Sequence, residues 1–295
     1  MDNKNPLKKP LPGPNPLSQF YRRPGNYIEL PSGGRFYKHP PKLTETNELA
    51  VYPMTAKDEM VLKNPDALLN GEALRQVLAS VCPDIKDVNE IPTPDIDAIL
   101  VSMRMASYGD DLNIDVSHGC TESNNNTQRV VVSLGSILAT SKNIDEDTGK
   151  VTLSTGVIVN LKPYTLDAQS RLLRQQFVTM RQLQAMEARE SSTVDQKADV
   201  ANRGYAALVD LSQETLAQSI MSVTLPDSTE VTNYAHIYDW VKNLDRASAD
   251  RLDLELKKFG TFGITRNITV KCDYCSEEYK SDMLFDPTSF FAAGS

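Results

Sequence analysis

Cys272 and Cys275 stand two residues apart, and a CxxC turn lets two thiolates grip one metal ion. A structural zinc site needs four ligands, usually thiolates or imidazoles in tetrahedral array. The other plausible donors are His118 and Cys120, some 150 residues upstream. There the frame Cys120-Thr121-Glu122-Ser123 has a serine where a second thiol would sit, and a hydroxyl is a poor zinc ligand. His118 can substitute, although its spacing to Cys120 is short. Two readings follow from the residues: a structural zinc held by Cys272, Cys275, Cys120 and His118, or a remnant knuckle whose cysteines are reduced and metal-free.

Catalytic patterns are missing elsewhere. The chain has no Gly-rich phosphate loop, no HExxH and no nucleophile elbow. His39, His118 and His236 fall in unrelated contexts. Cys82 ends an apolar helical face and reads as a small buried hydrophobe. Asp95 and Asp97 open a helix, where carboxylates favour the dipole. No enzyme is expected from these residues.

The 295-residue chain has room for one large or two to three small domains. No apolar run approaches the roughly 20 residues of a membrane span. The first 25 residues show no secretory pattern, and four cysteines at this spacing suggest a reducing compartment. A net charge of −8 disfavours general nucleic-acid binding. Residues 1–25 are Pro-rich and carry five basic residues against one acidic, so they read as an extended basic arm on an acidic body.

Elements that must position the cysteines follow from pattern. Tyr27–Leu30 and Arg35–Tyr37 flank Pro31-Ser32-Gly33-Gly34 and read as a hairpin, with Glu48–Tyr52 as a third strand. Thr55 and Asp58 form a capping-box pattern at a helix start, and Asn64-Pro65-Asp66 interrupts that helix. Helices are expected over 72–82 and 94–107, the second burying Ile96, Ile99, Leu100 and Met103. Strands follow at 112–116, 129–134, 150–153 and 157–161, the last two as a hairpin. Long helices at about 166–190 and 194–222 are linked near 190–193. They should pair through Leu173, Phe177, Met180 and Leu183 facing Ala201, Tyr205 and Leu208. Shorter helices at 233–244 and 248–259 precede a strand at 264–271 that leads into the CxxC turn.

The expected fold class is α+β: small β-rich modules with a zinc-ribbon-like CxxC knuckle and an inserted helical hairpin region. The expected divisions are an arm at 1–25, a hairpin-plus-helical domain at 26–110, a β-rich knuckle module from 111–165 with 264–295, and a helical insertion at 166–263.

Several segments in order carry a resemblance. Pro53-Met54-Thr55-Ala56-Lys57-Asp58-Glu59, Asn64-Pro65-Asp66-Ala67-Leu68-Leu69, Gly71 and the run Leu100 to Gly109 resemble the T-even-type baseplate hub protein family of tailed phages. In that resemblance Cys120 matches the first thiol of an upstream knuckle and Ser123 stands at its second position. Cys272 and Cys275 match a closing knuckle, and Phe290-Phe291 match the family's ending. The likeness covers about 27–165 and 264–291. It implies a structural or assembly protein of the tail baseplate, partnered by other baseplate or hub proteins. Such a protein is made in the host cytoplasm, lodges in the virion tail if permanent, and has no enzymatic activity. The alternative from another class is a zinc-ribbon nucleic-acid or transcription-associated module. It predicts basic residues around the knuckle, where Asp273, Glu277, Glu278 and Asp282 outnumber Lys271 and Lys280.

Overall fold

Hydrophobic periodicity and turn residues place the elements as follows in a computed structural model, which describes residues 15–63, 71–117, 127–187, 194–283 and 290–291. Strand β1 (Asn26–Glu29) pairs antiparallel with β2 (Glu48–Val51), Tyr27 facing Ala50. The hairpin partner expected at Arg35–Tyr37 is therefore replaced by Glu48–Val51. Phe36 has φ 72°, which breaks an extended strand, and Tyr37 turns inward instead. Helix α1 (Ala56–Leu62) starts at the expected capping box: the Thr55 amide donates to Asp58 at 2.8 Å, and the Asp58 amide donates to the Thr55 hydroxyl at 3.3 Å. The Asn64-Pro65-Asp66 interruption lies outside the described residues.

Helix α2 (Glu72–Val81) stops before Pro83, and α3 (Thr93–Tyr108) stops at Gly109, φ 91°. Helix α3 is buried on nearly every side from Pro94 to Arg104, so it is the axis of the first core and not an amphipathic surface helix. Strands β3 (Asp111–Ser117) and β4 (Thr127–Ser133) form an antiparallel hairpin that ends in α4 (Leu134–Leu138). The expected pair β5 (Lys150–Thr152) and β6 (Ile158–Leu161) is present.

Helices α5 (Leu166–Glu187) and α6 (Val194–Gln218) come next. The link at 190–193 lies outside the described residues. Helix α6 ends four residues before the expected 222, because β7 (Ile220–Thr224) joins β6 and β8 (Glu230–Val231) in a four-stranded sheet ordered β5-β6-β7-β8. Helices α7 (Tyr234–Lys242) and α8 (Arg246–Lys258) then lead to the hairpin β9 (Asn267–Lys271) and β10 (Glu278–Asp282).

Two apolar cores result. One gathers Leu30, Leu49, Val77, Leu78, Ile99, Met103 and Leu112 around α3, and receives Ile264, Met283, Phe290 and Phe291 from the far end of the chain. The other packs Val151, Val159, Leu161 and Val223 of the four-stranded sheet against Ile237, Val241, Leu252 and Phe259. The chain passes between them at Pro31–Ile144, where the Ile144 amide donates to the Pro31 carbonyl at 2.8 Å, and at the Lys142–Gly263 bridge. The mixed α+β class is the one the pattern predicts.

The long helices pair, but through a different seam from the one their apolar periodicity suggests. The contact runs through Thr179 and Gly204, both buried, and an Arg171–Glu214 ion pair at 2.7 Å closes its base. A side chain at Gly204 would overlap the Thr179 methyl, so the helices meet at near-backbone distance. Leu173, Phe177, Met180 and Tyr205 consequently lie outside the seam, exposed to solvent. The expectation that Leu173, Phe177 and Met180 face Tyr205 inside the pair is overturned: small residues at the seam draw the axes together, which turns the bulky stripe away.

Candidate functional site

The CxxC turn is carried by the β9–β10 hairpin. Lys271 and Glu278 are paired, and the Cys272 amide donates to the Glu277 carbonyl at 2.9 Å. The Ser276 amide donates back to the Cys272 carbonyl at 3.0 Å, with Ser276 itself at φ 61°. The turn aims the Tyr274 amide at the Cys272 sulfur, 3.4 Å away. A backbone N–H directed at sulfur favours thiolate over thiol, as a metal ligand requires. Cys272 is buried and Cys275 is half-buried. Tyr279 lies behind them on β10, its phenol raised chiefly by burial and then by Cys272, Asp273 and Cys275.

A second hairpin holds this turn. Gln128 on β4 donates from Nε2 to the Lys271 carbonyl at 2.9 Å, and its Oε1 accepts from the Asp273 amide at 3.0 Å. One amide side chain thus clamps the backbone on both sides of Cys272. Ser117 and Thr127 are paired at the end of β3–β4 next to Gln128. The segment between them carries His118, Cys120 and Ser123, all outside the described residues. Among the described residues no three His, Cys, Asp or Glu side chains gather as a metal site. Cys272 and Cys275 fit a structural ion in donor chemistry and local turn, and Gln128 is a support that nothing in the sequence pattern singled out.

The chain's end is held by a buried cation. Arg104 on α3 is only 2% exposed. Its guanidinium lies 5.3 Å from the ring centres of both Tyr108 and Phe290, and it donates to the Phe290 carbonyl. Phe290 and Phe291 pack edge to face at 5.0 Å. The two aromatic faces stand where a carboxylate would usually be, since a desolvated guanidinium is attracted by the ring quadrupole. An arginine within the apolar run Ala98–Met105 was the available signal for this site. Asp286 to Ser289 lie outside the described residues.

Other titratable groups are held by hydrogen bonds and ion pairs. Asp95, expected to serve the helix dipole, is fully buried. It accepts from the Ser32 amide at 2.8 Å, the Ser32 hydroxyl at 2.5 Å and the Tyr37 hydroxyl at 2.9 Å. Burial pushes its carboxyl up to about 6 against those hydrogen bonds. Asp97 pairs with Arg266 at 2.5 Å. These two and Tyr164 line a cleft of about 660 Å³ beside α8. Burial, then Asp253, pushes the Tyr164 phenol up to about 12. Asp253 in the same cleft holds Lys257 at 2.6 Å. The acidic and basic side chains named in this cleft are paired, Asp97 with Arg266 and Asp253 with Lys257. Cys82 is buried in the first core, as its helical position predicts, with its thiol pushed up to about 12 by burial and then by Asp84.

Comparison with known families is consistent with a structural role. The family model described as "T4 bacteriophage base plate protein" matches residues 26–292, a span that includes both cores, the knuckle and Phe290-Phe291. No curated protein and no solved structure matches the chain. No helix among the described residues is long and apolar enough to cross a membrane. The match runs through most of the sequence, and on it the chain belongs to the T4 bacteriophage base plate protein family.

Proposed function

We propose that this protein is a structural or assembly component of the hub region of a phage tail baseplate, acting through contacts with other baseplate or hub proteins and without enzymatic activity. The observation that carries the reading is the family match over residues 26–292. The hub assignment rests on the resemblance of the Pro53–Glu59, Leu100–Gly109 and closing-knuckle segments. Paired charges in the cleft and a backbone-clamped knuckle support a protein that holds shape. The protein is made in the host cytoplasm and resides in the virion tail if it is a permanent component. Mass spectrometry of purified tails tests this: peptides of this chain at stoichiometric level mark a permanent component. Their presence only in assembly intermediates marks an assembly factor, and their absence from both sinks the reading.

The knuckle adds a second proposal. Cys272 and Cys275, with Cys120 and His118 from the β3–β4 end, would hold a structural zinc that joins the two hairpins Gln128 already bridges. Four protein donors would leave the ion no open position for water or substrate, so it would be structural and not catalytic. Elemental analysis of protein made with zinc supplied is expected to give one zinc per chain. Chelator and Cys272→Ser should each lower thermal stability, and a zinc-free stable protein would support the remnant knuckle. The nucleic-acid alternative has no observation in its favour, since the acidic residues flank the turn and the whole chain carries −8.

A further inference from the structure

We propose that residues 30–37 are a clasp between the two cores, latched on Asp95, and that its release lets the cores part locally while each stays folded. The segment touches the cores by turns. Leu30 and Tyr37 are buried in the core around α3, whereas Phe36 packs edge to face on Phe259 of the other core, ring centres 6.0 Å apart. Arg35 donates to the Ile144 carbonyl, and the Pro31 carbonyl accepts from the Ile144 amide at 2.8 Å. The second core is an insertion in the first. The chain enters it between Ile137 and Ile144, leaves between Leu161 and Leu166, and after α5 and α6 leaves it again between Phe259 and Ile264. At those crossings the chain itself joins the two bodies. Residues 30–37 join them by side-chain and hydrogen-bond contacts, which can open without stretching the chain. The seam is already incomplete, since the cleft of about 660 Å³ separates Thr93 and Pro94 of α3 from Leu256 and Lys257 of α8.

Two features make the clasp releasable. Gly33, Gly34 and Phe36 have φ of 62°, 75° and 72°. Left-handed backbone is unfavourable for a residue with a Cβ, so Phe36 keeps it only while both ends of the clasp are gripped. The second feature is the latch. All three donors to Asp95, the Ser32 amide and the Ser32 and Tyr37 hydroxyls, come from the clasp. The other titratable and charged groups around it are few. Cys82 at the end of α2 lies beyond Tyr37, Asp97 on α3 is held by Arg266, and Arg35 is turned to the Ser32 and Ile144 carbonyls. No lysine or arginine pairs with Asp95 among the described residues, so its ionised form has no counter-charge. Closed, the clasp seals this carboxyl from water; open, it lets the carboxylate hydrate. Protonation therefore favours the closed clasp and ionisation the open one. The closed form is favoured most below the hydrated value of roughly 3.9, and that preference is lost as pH rises through about 6. The clasp is a property of this chain alone, whatever its place in a baseplate.

The test is hydrogen exchange of full-length protein between pH 4 and pH 7, read by mass spectrometry with intrinsic rates divided out. Peptides covering 30–37, 139–145 and 98–105 report the clasp, the seam and the α3 core. In wild type, opening of 30–37 and 139–145 is expected to rise about 50-fold from pH 4 to pH 7, while 98–105 stays protected. Asp95→Asn should make that opening independent of pH. Phe36→Ala removes the grip on Phe259, and should open 139–145 roughly 10-fold further at every pH without loosening 98–105. Wild-type opening that is the same at pH 4 and pH 7 overturns the proposal. So does exchange of 30–37 that occurs only together with 98–105, because the segment would then be ordinary core. An Asp95→Asn protein with the wild-type pH slope overturns it too, as does unchanged protection of 139–145 in Phe36→Ala. If Asp95→Asn does not fold, the wild-type pH series and Phe36→Ala decide between the same outcomes.

Discussion

Asp95 shows how one buried carboxylate ties a loop to a helix. Its acceptors take three hydrogen bonds from Ser32 and Tyr37, residues some 60 positions upstream, and so hold the 31–37 turn against α3. Desolvation exceeds the effect of these bonds and lifts the carboxyl to about 6, against roughly 3.9 in an unfolded chain. The folded state therefore binds the proton more tightly. The resulting stabilisation is fully present below the unfolded value and is lost as pH rises through about 6. We expect Asp95→Asn to lack this contribution, so its stability deficit relative to wild type should widen by about 2 kcal/mol between pH 7 and pH 4. Urea titrations of both proteins across that range check it, and a constant gap would refute the assignment. Sequence alone suggested only a dipole role, because the partners that define Asp95 are remote in the chain. Arg104 was equally obscure: its aromatic partners are Tyr108, one turn away, and Phe290, 186 residues on. Phe290→Ala removes a buried ring and one face of that cation site, and should cost about 3–5 kcal/mol.

At the scale of elements, local chemistry was legible where it is self-contained. The Thr55–Asp58 box, the glycine stop of α3 and the β5–β6 hairpin rest on residues a few positions apart. The β1 partner was misassigned because a Gly-rich turn looks like a hairpin turn whatever follows it, and Phe36 at positive φ is not visible as a residue type. The end of α6 was misread for a related reason: Ile220–Thr224 continues an apolar run whose pairing with β6 is a tertiary fact. The α5–α6 seam is the most instructive case. Periodicity finds a stripe but not the side that a neighbour covers, and Gly204 decides that. Gly204→Ala should gain up to roughly 1 kcal/mol of helix propensity, yet its methyl would overlap Thr179, a β-branched side chain with little freedom to move. The clash is expected to win in the wild-type background. In a Thr179→Ala background the same change should be neutral or stabilising. A double-mutant cycle by thermal unfolding measures the coupling, and additive effects would mean that the helices part freely.

At the scale of the whole molecule, the termini of the matched segment are fastened to one core. The α3 axis receives Phe290 and Phe291 at one end of the chain and residues 22–30 at the other. The sequence reading treated residues 1–25 as a single basic arm, but its inner part is anchored. Arg22 donates to the Pro53 carbonyl at 2.5 Å and the Ser80 carbonyl at 2.6 Å, and lies 3.5 Å from Asp58. The Gly25 amide donates to the Val51 carbonyl at 2.9 Å, extending the β1–β2 ladder. Proline density and positive charge marked the segment as a tail, while the value of Arg22 depends on three carbonyl and carboxylate groups that only the fold assembles. Truncation should therefore act in two steps. A chain beginning at Asn15 keeps every one of these contacts and should melt within about 1 °C of full length. A chain beginning at Asn26 leaves Asp58 buried without its cation, and should lose on the order of 2–4 kcal/mol, several degrees in melting temperature for a chain of this size. If the removed residues 1–14 serve docking, as their Lys4, Lys8 and Lys9 suggest, the Asn15 chain should bind a baseplate partner more weakly at low salt, with the difference shrinking at high salt. Equal melting temperatures for the two truncated chains would show that Arg22 is dispensable. Unchanged low-salt binding by the Asn15 chain would show that the first fourteen residues take no part in docking.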